Sequence, residues 1–231
     1  MDENHQAKLG LIANFYFFCF ILLPTFLESR FMISGIKNFI GATTIAVSTF
    51  VGAPAVSNAQ SRLNIDNKEF VIPASGSKDS LVLANAPSCD VFVKGKKEQA
   101  LFVVDTETNC LYHYDDNGKA MTVYSIATGK KSTPTDKGLR RITHVEVFPY
   151  KNAPARTKRR KTPSIYGPRI IFFEGVDSIT GKKFPVDEFL HGSNDPNCYG
   201  KYVSKGCMRM KNDVIREMAK IAKRGLYVLI K

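Results

Sequence analysis

Short β-prone runs separated by turn residues recur through the chain after residue 88, and they constrain its fold more than any other feature. The runs cover residues 90–93, 100–104, 111–114, 121–126, 139–147, 169–173, 184–190 and 226–230. Asn117-Gly118 predicts a tight hairpin before the fourth run, because Asn and Gly accept positive φ at little cost. Short connections favour antiparallel neighbours. The sequence therefore predicts a β-rich α+β domain over residues 88–231, built on a mostly antiparallel sheet or sandwich.

The stretch 184–210 combines one histidine and one cysteine within a segment punctuated by glycine. An apolar run ends at His191, a polar loop follows, and a tight turn then carries Lys205, Gly206 and Cys207. Cysteine is a nucleophile as the thiolate, so a catalytic cysteine needs a nearby base or a positive field, which His191 and Lys205 could supply. Gly206 allows a sharp turn that leaves nearby amides free to face a developing oxyanion. This pattern predicts a thiol site for acyl transfer.

Two other interpretations of the same residues stay open at this point. Cys207 could be a buried structural cysteine beside a hydrogen-bonded histidine. His191, Cys198 and Cys207 could instead bind zinc, but the chain offers no CxxC or HxxxH pair and no evident fourth ligand. We therefore expect no metal site.

One helix is predicted close to the carboxyl end of the domain. Asn212 or Asp213 can cap its start, and Gly225 can stop it. Apolar residues recur between these positions at helical spacing: Val214, Ile215, Met218, Ile221 and Ala222. We expect this main C-terminal helix to pack beside the active-site turn and to fix the position of Cys207.

The motif His-Gly, then a loop with Gly200, then S-x-G-C-x-R-M resembles the signature of the L,D-transpeptidase catalytic domain family, which remodels bacterial peptidoglycan. The resemblance extends back to residue 100, through VD-x5-LY-x5-G and the TGK-x3-PT-x2-G stretch at 128–138. It implies that Cys207 is the nucleophile, that His191 is the general base, and that the backbone carbonyl of Gly192 orients the imidazole. It implies no cofactor.

The other residues in and after the turn are expected to support the oxyanion and to contact the substrate. These residues are Ser204, Lys205, Gly206 and Arg209. The family usually has histidine where this chain has Lys205, so an ammonium stands beside the nucleophile. Arg209 has two interpretations, a structural ion pair or a clamp for the free carboxylates of stem peptides.

The resemblance implies an exported cysteine acyltransferase that acts on peptidoglycan stem peptides through a Cys207 thioester. An amine of a second stem would give a 3→3 crosslink, and an amine of an envelope protein would give covalent anchoring. Water as acceptor would make the protein an L,D-carboxypeptidase. A catalytically silent peptidoglycan-binding module, supported by Lys205, is the alternative from another class. We expect a monomer.

Residues 1–59 have the composition of an export region. Lys37, an apolar core at 40–51 and Ser57-x-Ala59 before Gln60 follow the pattern of a signal peptide. We expect translation to start at Met32 and the exported protein to reside in the periplasm or cell envelope. A membrane anchor near residues 9–26 is the alternative. Residues 60–87 are polar and are predicted to be a linker.

Charge and cysteines add two further expectations. The net charge of +12 favours polyanionic partners, and the basic run at 156–161, between prolines, is either a solvated loop or a contact with an anionic envelope surface. No nucleic acid partner is expected, because no helix-turn-helix or RNA-binding signature is present. Export permits a disulfide between Cys89 and Cys110, which would stabilise by roughly 3 kcal/mol. Two free thiols are the alternative.

Overall fold

The structure is a computed structural model, and it describes residues 60–231. The predicted signal peptide, the predicted start at Met32 and the alternative anchor all lie outside the described residues. Within residues 60–231, none of the helices has the length and apolar character needed to cross a membrane.

Thirteen strands, three helices and one 3-10 turn make up the described chain. The elements are β1 (Ser61–Ile65), β2 (Lys68–Ile72), α1 (Ser80–Ala84), β3 (Asp90–Val93), β4 (Lys96–Asp105), β5 (Cys110–Tyr114), β6 (Ala120–Ser125), β7 (Thr128–Gly129), β8 (Gly138–Val147), α2 (Lys158–Lys161), the 3-10 turn Pro163–Tyr166, β9 (Arg169–Val176), β10 (Lys183–Gly192), β11 (Tyr202–Ser204), β12 (Met208–Met210), α3 (Asn212–Ile221) and β13 (Tyr227–Ile230).

A nine-stranded sheet forms the centre of the fold. Its strand order is β12-β10-β9-β8-β13-β4-β5-β6, and β3 pairs with β4. The β10–β12 and β4–β13 pairs are parallel, and the other pairs of this sheet are antiparallel. The predicted β-rich fold with a mostly antiparallel sheet and one main C-terminal helix is confirmed.

Both faces of the sheet are covered by other parts of the chain. On β4, the alternate residues Phe102 and Val104 belong to a core with Met218 of α3, whereas Val103 belongs to a core with Ile72 of β2. This alternation follows from strand geometry, in which successive side chains point to opposite faces. The helix α3 therefore covers one face and the amino-terminal hairpin covers the other.

Residues 60–87 are not a linker, and that prediction is wrong. Strands β1 and β2 form a hairpin whose two turn residues, Asp66 (φ 50°) and Asn67 (φ 61°), both adopt the left-handed conformation of a type I′ turn. Ile72 is 1% exposed, and Asp79 caps α1 by accepting from the amides of Leu81 and Val82. The segment looked like a linker because it is rich in Ser, Asn, Asp and Ala, and its apolar residues fall in short runs.

The main helix α3 differs in detail from its prediction. It begins at Asn212 with Lys211 as its N-cap, and no side chain caps it. Instead, Oδ1 of Asn212 accepts a hydrogen bond from the Ser193 amide at 3.0 Å. The helix ends at Ile221, before Gly225, and it packs against β9 and β10. Asn212 thus ties the start of α3 to the end of β10.

Cys89 and Cys110 are free cysteines, so the predicted disulfide is not formed. The Cys89 carbonyl accepts a hydrogen bond from the Ala100 amide, whereas Cys110 pairs with Asp105. Ala100 and Asp105 both lie on β4. Five residues of extended chain separate these two partners by about 17 Å, which is far too long for a disulfide. Burial raises the pKa of the Cys110 thiol to about 11.

Candidate active site

Parallel pairing of β10 with β12 brings the predicted nucleophile and base together. His191 is in register with Arg209, and Cys207 directly precedes β12. Because side chains alternate along a strand, Cys207 and Arg209 point to the same face as His191. None of the hydrogen bonds of the described residues joins the Cys207 thiol to the imidazole.

His191 is only 2% exposed, and the surrounding protein keeps it neutral. Burial, followed by the positive charge of Arg209, lowers the pKa of His191 to about 3, while the backbones of Gly192 and Tyr166 act in the opposite direction. Nδ1 is buried without a hydrogen-bond partner among residues 60–231. The Gly192 backbone thus acts to raise the pKa of the ring, and the orienting role of its carbonyl stays a prediction, because Nδ1 has no hydrogen-bond partner in the described part of the chain.

Cys207 is half-buried, and its surroundings favour the neutral thiol. Burial is the main cause that raises its pKa; Glu188 and Asp187 raise it further, whereas the Phe189 backbone and Arg209 lower it. Lys205 is exposed and is not among the groups that shift this pKa. The positive field expected from Lys205 thus comes from Arg209.

The turn before Cys207 is held by the Ser204 hydroxyl. It donates to the Cys207 carbonyl at 2.6 Å and accepts from the Gly206 amide at 3.0 Å. Ser204 is 1% exposed, so it stabilises the turn rather than facing the substrate. The Gly206 amide is thereby occupied. The Cys207 amide has no backbone acceptor in the described part of the chain, which leaves it available to an oxyanion.

A second segment braces this turn from the other side. The Thr135 hydroxyl donates to the Gly206 carbonyl at 2.6 Å and accepts from the Gly129 amide at 2.9 Å. The peptide group is planar, so fixing the Gly206 carbonyl also fixes the direction of the Cys207 N–H. A Cβ on Gly129 would lie 2.3 Å from the Thr133 carbonyl oxygen, so this close approach requires glycine.

Tyr166 is a site residue that sequence reasoning missed. Its ring packs on His191 at a centroid distance of 5.1 Å and on Phe189 at 5.7 Å. Burial raises the pKa of its phenol, with a further increase from Cys207. The close contact of Gly167 with Gly192 brings Tyr166 here, and no spacing in the sequence signals that contact.

Arg209 is the one predicted contact residue whose surroundings suit a substrate group. Its Nε is buried without a hydrogen-bond partner, and no ion pair involves it within residues 60–231. An unpaired guanidinium beside a nucleophile can hold a carboxylate in bidentate geometry. The described residues therefore do not contain the structural ion pair that was the alternative role for Arg209.

Zinc binding has no geometric support in the described residues. No group of three or more His, Cys, Asp or Glu side chains there could hold a metal ion. Cys198 is buried, and its thiol contacts the Ser193 hydroxyl at 3.5 Å. Cys198 is therefore a packed thiol of the core.

Comparison with known proteins adds to this geometry. The sequence profile of the YkuD family, described as the L,D-transpeptidase catalytic domain, matches residues 99–230. The Bacillus subtilis protein named as L,D-transpeptidase YqjB is 33% identical over 130 residues, which are 55% of this chain and 69% of YqjB. The B. subtilis protein named as L,D-transpeptidase YkuD is 32% identical over 114 residues, which are 49% of this chain and 56% of that protein.

Solved structures are also similar to this chain. The NMR structure of the catalytic domain from the E. faecium L,D-transpeptidase shares 23% sequence identity with it. The alignment covers 58% of this chain and 98% of that chain, with a TM-score of 0.39.

Proposed function

Because the chain belongs to the YkuD family of L,D-transpeptidase catalytic domains, we propose that it is an exported cysteine acyltransferase acting on peptidoglycan stem peptides. The observation that carries the proposal is the β10–β12 pairing, which puts Cys207, His191 and Arg209 on one face beside an unpaired Cys207 amide. These are the nucleophile, base, carboxylate-binding group and oxyanion donor that acyl transfer requires.

Acylation begins from a neutral thiol and a neutral imidazole. As the sulfur of Cys207 attacks the carbonyl carbon of the third stem residue, its proton passes to His191, and the new oxyanion accepts a hydrogen bond from the Cys207 amide. The amide bond to D-alanine then breaks, and the imidazolium protonates the departing amine. Free enzymes often lack the final hydrogen bonds, so the thiol and imidazole approach each other when substrate is bound.

The acceptor resolves the thioester in a second step. A neutral amine attacks the thioester carbonyl, its proton passes to His191, and the Cys207 thiol is released and reprotonated. A diamino acid side chain of a second stem gives a 3→3 crosslink, an envelope protein gives an anchored protein, and water gives a shortened stem. Arg209 holds a stem carboxylate, which orients the donor at the sulfur.

This function requires export, because the polymer lies outside the cytoplasmic membrane. The signal-like pattern that ends at Ala59 would deliver residues 60–231 to the envelope, where the substrate is found. The net positive charge of the chain also suits an anionic wall.

The test is turnover of a tetrapeptide donor by the purified protein, with mass spectrometry of the products. Cys207→Ala should lose turnover, and His191→Ala should lose about 10²–10⁴-fold, the usual contribution of a general base. Cys198→Ala is the matched control, because it removes another thiol that has no role in the reaction, and it should keep most of the activity.

Three results would redirect the proposal. An inactive Cys198→Ala variant together with bound zinc would favour a metal centre. A wild-type protein that neither turns over donor nor reacts with a carbapenem would favour a silent binding module. Shortened stems without crosslinks would identify a carboxypeptidase.

A further inference from the structure

The segment between β8 and β9 exposes a cluster of basic side chains beside the active site. We call this cluster the basic platform, and its members are Lys151, Arg156, Lys158, Arg160 and Lys161. The chain has no acidic residue between Glu146 and Glu174. No ion pair of the described residues involves a member of the platform. Its positive charge is therefore uncompensated.

The platform is held in place by contacts underneath it. Arg159 faces inward, where it donates to both carboxylate oxygens of Glu146 at 2.9 and 3.3 Å and lies over the Phe172 ring at 5.0 Å. Tyr150 is 1% exposed, and its hydroxyl donates to the Gly167 carbonyl at 2.5 Å. These contacts distinguish the segment from a freely solvated loop, because they anchor the backbone that carries the exposed lysines.

A continuous set of ring contacts joins the platform to the catalytic face. Phe172, under Arg159, packs on Phe189 at 5.2 Å, and Phe189 packs on His191 at 5.4 Å. The 3-10 turn that follows α2 ends at Tyr166, which also packs on His191. Arg159 lowers the pKa of the Tyr166 phenol, as a nearby positive charge should. The platform thus borders the site where the donor is bound.

We propose that the basic platform binds the carboxylates of neighbouring stem peptides on polymeric peptidoglycan. This inference rests on the proposed function and adds a second contact region to it. A polymer presents carboxylates repeatedly, and several weak contacts on one polymer combine into stable retention. A soluble stem peptide that fills the site alone gains nothing from these contacts. The platform therefore distinguishes polymer from fragment.

Carboxylates fit the platform better than a single compact anion does. The lysine and arginine side chains are exposed and form no enclosed cradle around one phosphate, so they suit charges spread along a flexible polymer. Nucleic acid and phosphate-containing wall polymers carry the same sign of charge, and the experiment separates them from stem carboxylates.

The experiment compares two triple variants of the whole protein for retention on insoluble peptidoglycan. One variant is Arg156→Gln, Lys158→Gln and Lys161→Gln, and the matched control is Lys68→Gln, Lys78→Gln and Lys96→Gln. Each removes three exposed cations that form no ion pair in residues 60–231. The platform variant should bind on the order of tenfold more weakly, and the control should bind like wild type. Added salt should weaken the binding of wild type to peptidoglycan, down to the level of the platform variant.

Chemical treatment of the polymer identifies the partner group. Peptidoglycan with amidated stem carboxylates should retain wild type poorly, whereas peptidoglycan stripped of phosphate polymers should retain it fully. The opposite result would assign the platform to phosphate polymers and overturn the proposal. Tighter binding to duplex DNA than to peptidoglycan would overturn it as well.

Two further readouts separate this proposal from the proposed function. Turnover of a soluble tetrapeptide donor should be equal in wild type and the platform variant, and a loss of that turnover would overturn the proposal, because the platform would then act on the soluble donor as well. Equal retention of both triple variants would overturn the proposal that the basic platform binds the polymer. A wild type inert to donor but retained through the platform would overturn the proposed enzyme and leave the binding surface in place.

Discussion

Cys207 and His191 are both neutral in the resting site. Burial raises the pKa of the thiol, and burial together with Arg209 lowers the pKa of the imidazole to about 3. A preformed thiolate–imidazolium pair would need the reverse shifts. The site is therefore suited to general-base catalysis, in which the proton leaves the thiol as the sulfur attacks.

The first consequence concerns the pH dependence of thiol reactivity. Because the thiol pKa is raised, the alkylation rate of Cys207 by iodoacetamide should rise about tenfold per pH unit and continue to rise above the ordinary thiol range near 8.5. Because His191 titrates near 3, the profile should show no step near 6.5. Mass spectrometry after timed alkylation measures the rate. A plateau beginning near pH 6 would indicate a stable thiolate and contradict this account.

The same profile separates the two cations near Cys207. Arg209 lowers the thiol pKa, so Arg209→Gln should move the profile to higher pH. Lys205 is exposed and is not among the groups that chiefly shift the thiol pKa, so Lys205→Ala should leave the profile in place. A shift in Lys205→Ala of the same size as in Arg209→Gln would restore the role that the sequence suggested for Lys205.

At the scale of structural elements, the segment from Thr128 to Gly138 supports the turn that carries Cys207. Thr135→Val keeps the shape of the side chain but leaves the Gly206 carbonyl and the Gly129 amide without their partner. We expect a loss of stability of about 1–3 kcal/mol from these unpaired groups. We also expect slower acylation, by up to about 10²-fold, because the Cys207 amide loses its fixed direction.

Two measurements on Thr135 variants distinguish positioning from stability alone. Thr135→Ser retains the hydroxyl and should recover most of the acylation rate, even if its melting temperature stays lower. Thr133→Val is a matched control, because its hydroxyl makes a longer bond, 3.3 Å, to the Ser204 carbonyl. Should acylation by Thr135→Val match wild type at a temperature where both are folded, the turn would not depend on this brace.

The longer strands of the central sheet and the main helix could be predicted from the sequence because their patterns are local. The β-prone runs predicted β8 and β10 with bounds close to those observed, whereas β4 begins four residues before its predicted run, and the apolar spacing identified α3. The N-cap of α3 could not be predicted, because the Asn212 side chain accepts a hydrogen bond from the Ser193 amide, nineteen residues away in the sequence. The β1–β2 hairpin was missed although Asp66-Asn67 suits a type I′ turn, because each strand is only five residues long and lies in a polar part of the sequence.

Over the whole molecule, the sheet positions a site whose members come from distant parts of the sequence. The pair His191 and Cys207 could be predicted, because both lie in one recognisable motif. Tyr166 could not, because a contact between two glycines brings it to the imidazole. The roles of Lys205 and Arg209 were also beyond the sequence, because exposure and charge pairing depend on the folded structure.

The central claim is that Cys207 forms a thioester, and the mass of the intact protein tests it most directly. Brief incubation with a tetrapeptide donor or a carbapenem, followed by acid quenching, should add the mass of one acyl group to wild type. Peptide mapping should place it on Cys207, and Cys207→Ala should gain none. An unmodified wild-type protein that is folded and active in retention on peptidoglycan, or an acyl group on another residue, would contradict the account.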